Sequence, residues 1–393
     1  MSDKVAKMGY VIQPAYYRDF RCIGGACPNS CCVGWQVDWS TEAVEKLKST
    51  ECSEQLRELM NTSFIRANGK YIVKMGEKNR CPFLTEDNMC CIQRELGEEY
   101  LSDICKIYPR IAFISGENGM RSCYSSCYCV IDTICNDEKS MKLEKYRPSK
   151  PVKMNTLVVK NSEEEKKKRP ELKYRTEIIE FFYEIIADNS RPVETSIVLA
   201  ALGAQKLDEY VKKGMYDKLP DVMKALKNQL NDTAMVNKIN NINPNENLKF
   251  NFIIKLLDTI FSSEFLASFY RDGVIDSDRY HKGVKLFEEI FSDKPFATRN
   301  IALNLLLEMQ IPFYDCDVGL FDNFSYFAAA LATIKFAAPA MALSQKNADR
   351  GFKIIASYLS RSFAHNGNKA KAVLNILGEF NCKSPAYLAA IIK

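Results

Sequence analysis

Beyond Pro170 the apolar residues fall at helical spacing. Ile178, Phe181, Phe182, Ile185 and Ile186 occupy offsets 0, 3, 4, 7 and 8, one face of an α-helix. Ser190-Arg191-Pro192 stops that helix and opens the next, from Val193 to about Lys213. The spacing returns in Ile253, Leu256, Leu257 and Ile260, then in Phe352, Ile355 and Leu359. A helix through Val373, Ile376, Leu377 and Phe380 is expected to close the chain. No repeat of roughly 20–50 residues is visible, so the pattern predicts an irregular helical bundle rather than a solenoid. Upstream the helical period is lost and strand signals are few; Lys70-Tyr71-Ile72-Val73-Lys74-Met75 is the best of them. The fold class expected is mainly α, with a cysteine-rich N-terminal region at 1–135, a polar linker at 136–170 and a helical domain at 171–393.

Within the linker, the run Glu163-Glu164-Glu165-Lys166-Lys167-Lys168-Arg169 reads as a solvated helix start or linker face, with no function attached to it. The stretch Phe324–Leu343 is nearly long enough to span a bilayer. It carries Lys335 at mid-depth, Pro339 and six alanines before that proline, which favours a buried, close-packed helix over a membrane span.

Cysteine changes the picture. Thirteen of fifteen fall between Cys22 and Cys135, far too dense for thiols used singly as apolar filler. The first twenty residues show no apolar core and no small-residue cleavage site, so a cytoplasmic address is expected. In a reducing compartment clustered thiols read as metal ligands in preference to disulfides. The two histidines, His281 and His365, are far from the cysteines in sequence, so a mixed Cys–His site would need a long-range contact. All-thiolate ligation selects zinc or iron–sulfur. A net charge of +5 and the lack of a basic stripe with interleaved aromatics argue against nucleic acid as partner.

Cys22-Ile23-Gly24-Gly25-Ala26-Cys27-Pro28-Asn29-Ser30-Cys31-Cys32 packs four thiols into eleven residues, with Gly24, Gly25 and Pro28 letting the backbone wrap a centre. Adjacent cysteines point apart, so Cys31 and Cys32 are not expected to serve one small ion equally. The spacing matches neither radical S-adenosylmethionine enzymes nor the common ferredoxins. A second group follows in Cys81-Pro82-Phe83-Leu84, Cys90-Cys91-Ile92-Gln93, Leu96-Gly97-Glu98, Leu101-Ser102, Cys105 and Tyr108-Pro109-Arg110.

With Phe20-Arg21-Cys22-Ile23-Gly24, Ala26-Cys27, Ser30-Cys31-Cys32-Val33-Gly34-Trp35 and Ser126-Cys127, these words resemble the flagellin lysine-N-methylase family, part of a wider group of cysteine-cluster proteins associated with zinc or iron. They cover the first 130 residues; the helical remainder is similar only in type, most visibly at Ile311-Pro312-Phe313 followed by an apolar helix. Cys91, Cys123, Cys129 and Cys135 are additional to the family pattern, and Tyr128 stands where it has proline.

The resemblance implies a protein lysine methyltransferase acting on flagellin, with S-adenosylmethionine as donor. It implies a metal centre on Cys22, Cys27, Cys31, Cys32, Cys81, Cys90, Cys105 and Cys127, four-iron iron–sulfur in preference to zinc, in one cluster with spare thiols or two four-ligand sites. No Gly-x-Gly turn offers a familiar cofactor site. The resemblance, with the chemistry of an iron that has an open position, implies that the centre itself holds the donor. Methyl transfer also needs the target amine deprotonated, for which Tyr108 and Asp103 are candidates, while Trp35 and Arg110 are candidates for contacting the donor. Trp39, Tyr16 and Tyr17 are further candidates for an aromatic wall around a sulfonium. The competing readings are a metal-braced adaptor without activity and a redox or metal-trafficking protein.

Overall fold

The computed structural model describes residues 9–67, 69–115, 118–148, 158–160, 163–261, 276–315, 317–365 and 368–393. Among them the strands are β1 (Val11–Pro14), β2 (Asp38–Trp39), β3 (Phe64–Ala67), β4 (Lys70–Val73), β5 (Arg110–Ser115), β6 (Asn118–Cys123), β7 (Leu143–Tyr146) and β8 (Val158–Lys160). They form a five-stranded sheet, β7-β1-β6-β5-β8, and a three-stranded one, β2-β4-β3. Helices of the N-terminal half are α1 (Tyr16–Asp19), α2 (Thr41–Ser49), α3 (Glu54–Ser63), α4 (Cys91–Leu96), α5 (Asp103–Ile107), α6 (Tyr128–Asn136) and α7 (Glu163–Lys168). The bundle follows as α8 (Arg175–Ala187), α9 (Val193–Lys212), α10 (Leu219–Leu230), α11 (Thr233–Asn240), α12 (Glu246–Ile260) and α13 (Ser277–Ile290). It ends with α14 (Ala297–Glu308), α15 (Leu320–Ala342), α16 (Ala348–Ala364), α17 (Asn368–Glu379) and α18 (Pro385–Ile392).

The chain is mainly helical, as the spacing predicts, and α8, α9, α12, α16 and α17 stand where the periodic residues lie. Strand β4 forms at the one strong strand signal. The other seven strands carry little local signature, because none exceeds six residues and several lack alternation; β6 reads Asn-Gly-Met-Arg-Ser-Cys. β3–β4 and β5–β6 pair with sequence neighbours, but the pairing of β1 is long-range: it runs parallel to β6, with Val11 opposite Gly119. The stretch read as a polar linker supplies both edge strands of the larger sheet, β7 against β1 and β8 against β5. The chain closes on α18, one helix later than expected, a short segment whose apolar residues lack a clear helical stripe.

Two hydrophobic cores organise the molecule. A small lobe is built on Trp39, Val44, Leu47, Leu56, Met60, Val73, Phe83, Ile92 and Leu101. The main core runs from Ile12 of β1 to Ile392 of α18 and takes in Val130, Ile131 and Ile134 of α6. Burial of those three side chains, each contributing on the order of 1.5–3 kcal/mol, ties α6 to the bundle although its sequence belongs to the cysteine region. Helix α15 is apolar enough to cross a membrane by length and composition, but 94% of its apolar window is buried within the protein. Its Lys335 pairs with Glu194 at 2.6 Å. Helix α13 crosses it so closely that a Cβ on Gly283 would sit 2.5 Å from the Cα of Ala340.

Candidate functional site

Between the two cores lies a cavity of about 230 Å³ lined by nine cysteines. Eight are those of the motif words, Cys22, Cys27, Cys31, Cys32, Cys81, Cys90, Cys105 and Cys127; the ninth is Cys129, read from the sequence as additional. Cys27 and Cys127 pack on the main core, whereas Cys81 and Cys90 pack on the small lobe. The thiols therefore come from both sides of the cavity.

Local structure explains the placement. Gly24 adopts φ +57° in the short 3₁₀ turn between Cys22 and Cys27, and a Cβ on Gly25 would lie 2.6 Å from the carbonyl of Asp87. Only glycine lets this loop settle on the 85–90 turn, where Gly25 N donates to Met89 Sδ at 3.0 Å. Cys81 N donates to Cys32 O at 2.9 Å, locking the two cysteine words side by side. Cys90 and Cys127 occupy the N-caps of α4 and α6, where free backbone amides face the sulfurs. Ser102 caps α5 by accepting from Cys105 N at 3.1 Å, fixing Cys105 in the first turn.

Electrostatics sorts the sulfurs into groups. Burial, with repulsion from Cys32, pushes Cys81 and Cys90 up to about 12 and raises Cys105, so Cys32 is the thiol that all three feel. Cys105 keeps accessible surface because it faces the cavity, yet the surrounding walls still desolvate it. A second group centres on Cys129, whose thiol is pulled well below its usual range by hydrogen bonds from Cys127 and Cys27. Donation to Cys129, and burial, raise Cys27 and Cys127 in turn. Cys31 hydrogen-bonds Cys32 and feels both Cys127 and Cys105, so it stands between the groups. Among the described residues, no three His, Cys, Asp or Glu side chains form a set placed to hold a single metal ion. The sulfurs ring the cavity instead of meeting at a point.

Trp35, Tyr108 and Arg110 line the same cavity. Asp103 does not: it is an exposed residue in the first turn of α5. Of the aromatic wall, Trp39 is present, but Tyr16 is buried elsewhere, donating to Asn304 Oδ1 at 2.6 Å, and Tyr17 faces a different cleft. Arg110 donates to the carbonyl of Phe20 at 3.0 Å and lies over its ring. The indole nitrogens of Trp35 and Trp39 are buried without a hydrogen-bond partner, although buried N–H groups are normally satisfied.

Helix α16 supplies a part of the site that sequence reasoning missed. Ser357, Arg361 and His365 recur every four residues, one stripe of a helix face. Asn29 donates to Ser357 Oγ at 2.7 Å, and the Arg361 guanidinium lies 4.6 Å over the Trp35 ring. His365 Nε2 is 2.9 Å from Ser126 Oγ, which is 3.1 Å from the Tyr108 hydroxyl. The residue keeps accessible surface, but its ring is packed against Trp35 and Tyr124. That desolvation, with the neighbouring Arg361 charge, pushes it down to about 4, so it is neutral near pH 7. Burial holds Tyr108 well above the usual phenol range, leaving a hydroxyl rather than a phenolate.

These features define a protein whose cavity is bordered by nine cysteine sulfurs beside aromatic side chains, soft donors of the kind suited to iron–sulfur or zinc. The family described as FliB lysine N-methylase C-terminal domain matches residues 180–391, the helical part whose sequence showed only a general likeness. The flagellar biosynthetic protein FliU of Salmonella muenchen is 32% identical over 138 residues, 34% of this chain and 81% of that protein. Lysine-N-methylases of Salmonella choleraesuis and Salmonella typhimurium are each 31% identical over 138 residues. That alignment spans 34% of this chain and only 34% of either methylase. No solved structure matches. The chain belongs to the FliB lysine N-methylase family, a family of methyltransferases.

Proposed function

We propose that the protein transfers methyl groups from S-adenosylmethionine to surface lysines of flagellin in the cytoplasm. Membership of a family named for lysine methylation and a relative named for flagellar biosynthesis support the reaction and the substrate. The observation that carries the assignment of the site is the convergence of eight motif thiols with Trp35 and Tyr108 on one cavity. All fourteen cysteines among the described residues are free thiols, the state a reducing compartment maintains.

The donor set fits a thiolate-held metal centre on ligands drawn from Cys22, Cys27, Cys31, Cys32, Cys81, Cys90, Cys105 and Cys127, with Cys129 beside them. Sulfurs spread around about 230 Å³ suit a polynuclear iron–sulfur centre, four-iron in this reading, better than one zinc ion. Such a centre supplies, when bound, Lewis-acid anchoring of the donor's amino-carboxylate end.

The chain's own residues address the proton. A free lysine has a pKa of about 10.4, so roughly one in a thousand is nucleophilic near neutral pH. In this reading the desolvating aromatic walls lower that pKa. The Tyr108 hydroxyl, fixed through Ser126 by the neutral His365, then offers an oxygen that accepts a hydrogen bond from the amine and orients it, the ammonium proton leaving to solvent as the side chain enters. Trp35 and Trp39 present aromatic surface to the sulfonium.

The test is anaerobically purified protein incubated with S-adenosylmethionine and unmodified flagellin, read by mass spectrometry. Successive gains of one methylene mass on surface lysines are expected. Unmodified flagellin, from protein carrying its metal, would leave the thiol site as a brace without activity.

A further inference from the structure

A second cavity, of about 790 Å³, opens beside the thiol site and shares Arg110 with it. Its walls carry five cationic side chains, Arg18, Arg21, Arg110, Arg121 and Lys145, against one carboxylate, Glu144. The whole chain carries only +5, so this cleft concentrates positive charge on one face. Arg18 reaches Glu144 at 3.3 Å, and Lys145 is occupied by Glu180 at 3.0 Å. Arg21 and Arg110 are different. Both donate to one neutral acceptor, the carbonyl of Phe20, at 2.9 and 3.0 Å. Among the described residues neither has a carboxylate within ion-pair distance. Two guanidiniums turned onto one carbonyl repel each other, and an anion between them would relieve that repulsion.

We propose that this cleft docks acidic side chains flanking the target lysine, so that the preferred acceptor is a lysine with Asp or Glu neighbours. The proposal rests on the methylase reading and specifies its substrate. Guanidinium groups hold carboxylates through paired, charge-assisted hydrogen bonds. Because Arg110 belongs to both cavities, a carboxylate seated on it places the next few residues of an extended chain, at about 3.3–3.6 Å each, at the mouth of the thiol cavity. The methyl donor is not the natural guest of the cleft: its sulfonium and ammonium outweigh its single carboxylate, and five cations would repel it. A nucleic acid fits less well than an acidic peptide, since the charge is confined to one cleft interrupted by Glu144 instead of running as a stripe.

The test is fluorescence anisotropy with the full-length metal-loaded protein and no methyl donor. Three labelled probes are compared: a peptide with Asp and Glu on both sides of a lysine, the same peptide with Ser flanks, and a single-stranded RNA of equal negative charge. The acidic peptide should bind at least about tenfold more tightly than the Ser-flanked one, and weaken with salt. R21Q and R121Q, checked for intact circular dichroism and metal content, should each reduce that preference several-fold. Equal binding of both peptides, undiminished binding by both variants, or tighter binding of the RNA would overturn the proposal. Acidic-peptide binding without methylation of any protein would instead overturn the methylase reading and leave the cleft assignment standing. Methylation indifferent to flanking charge would do the reverse.

Discussion

His365 Nε2 lies 2.9 Å from Ser126 Oγ, joining residues 239 positions apart and bringing one of the two histidines to the cysteine site. The contact exists because α16 turns one face toward the cysteine loops, so that Ser357, Arg361 and His365 meet Asn29, Trp35 and Ser126 in order. The bundle thereby shapes the wall of the cavity as well as supporting it.

Removing the Ser357 hydroxyl should weaken that brace. In Ser357→Ala the buried Asn29 amide loses its acceptor, at a cost of about 1–3 kcal/mol. Thermal melts should show lower stability, and the metal should be stripped faster by chelator than from wild type. His365→Phe keeps ring contact with Trp35 and Tyr124 but loses the bond to Ser126. If His365 orients Tyr108 through Ser126, the variant should lower the rate of transfer while leaving metal content unchanged; an unaltered rate would remove His365 from that positioning role.

Metal uptake should depend on pH with a definite sign. Cys81 and Cys90 stand near 12 in the metal-free protein, so binding must expel their protons, and affinity should rise as pH rises. Anaerobic protein should be brown and contain iron and sulfide. Cys90→Ser and Cys105→Ser should lose metal, whereas Cys382→Ser, buried near the C-terminus, should retain it. Cys316, an equivalent control by sequence, lies outside the described residues. Stoichiometric zinc without sulfide would exclude the iron–sulfur assignment.

Glu308 predicts a fall in stability with rising pH. It is fully buried: Oε2 accepts from the Ser125 amide and from Asn304 at 3.3 Å, while Oε1 has no partner. Burial raises its carboxyl from 4.5 to about 8. Across that window the folded protein keeps a proton that the unfolded chain releases, so unfolding is favoured progressively, by at most about 1.4 kcal/mol per pH unit. Melts at intervals from about pH 5 to pH 8 should show the decline, and Glu308→Gln should flatten it.

Two glycine substitutions should separate the bundle from the site. Gly283→Ala drives a methyl into the Ala340 backbone and should cost about 1–3 kcal/mol of stability without altering metal content at low temperature. Gly25→Ala meets the Asp87 carbonyl at 2.6 Å and should displace the Cys22–Cys27 loop. Reduced metal retention with little change in the melting of the bundle is expected there. Equal effects of both variants on metal would mean that the two cores unfold as one.

The helices of the bundle were legible in the sequence because the 3.6-residue period is local: Ile178 through Ile186 specify a buried face whatever lies against it. The thiol words were legible too, since spacing and glycine content are properties of a short segment. What the thiols face was decided only by tertiary structure. Cys129, set aside as additional, lines the cavity because α6 is held in the main core by Val130, Ile131 and Ile134. Asp103 and Tyr17, singled out by proximity along the chain, point elsewhere because neighbouring residues on a helix or loop face different directions. The larger sheet leaves little mark in the sequence because its strands are short and β1, which joins β6 to β7, finds both partners far along the chain. His365 could be assigned to the site only after α16 was packed, for a contact across 239 residues leaves no mark on either segment alone.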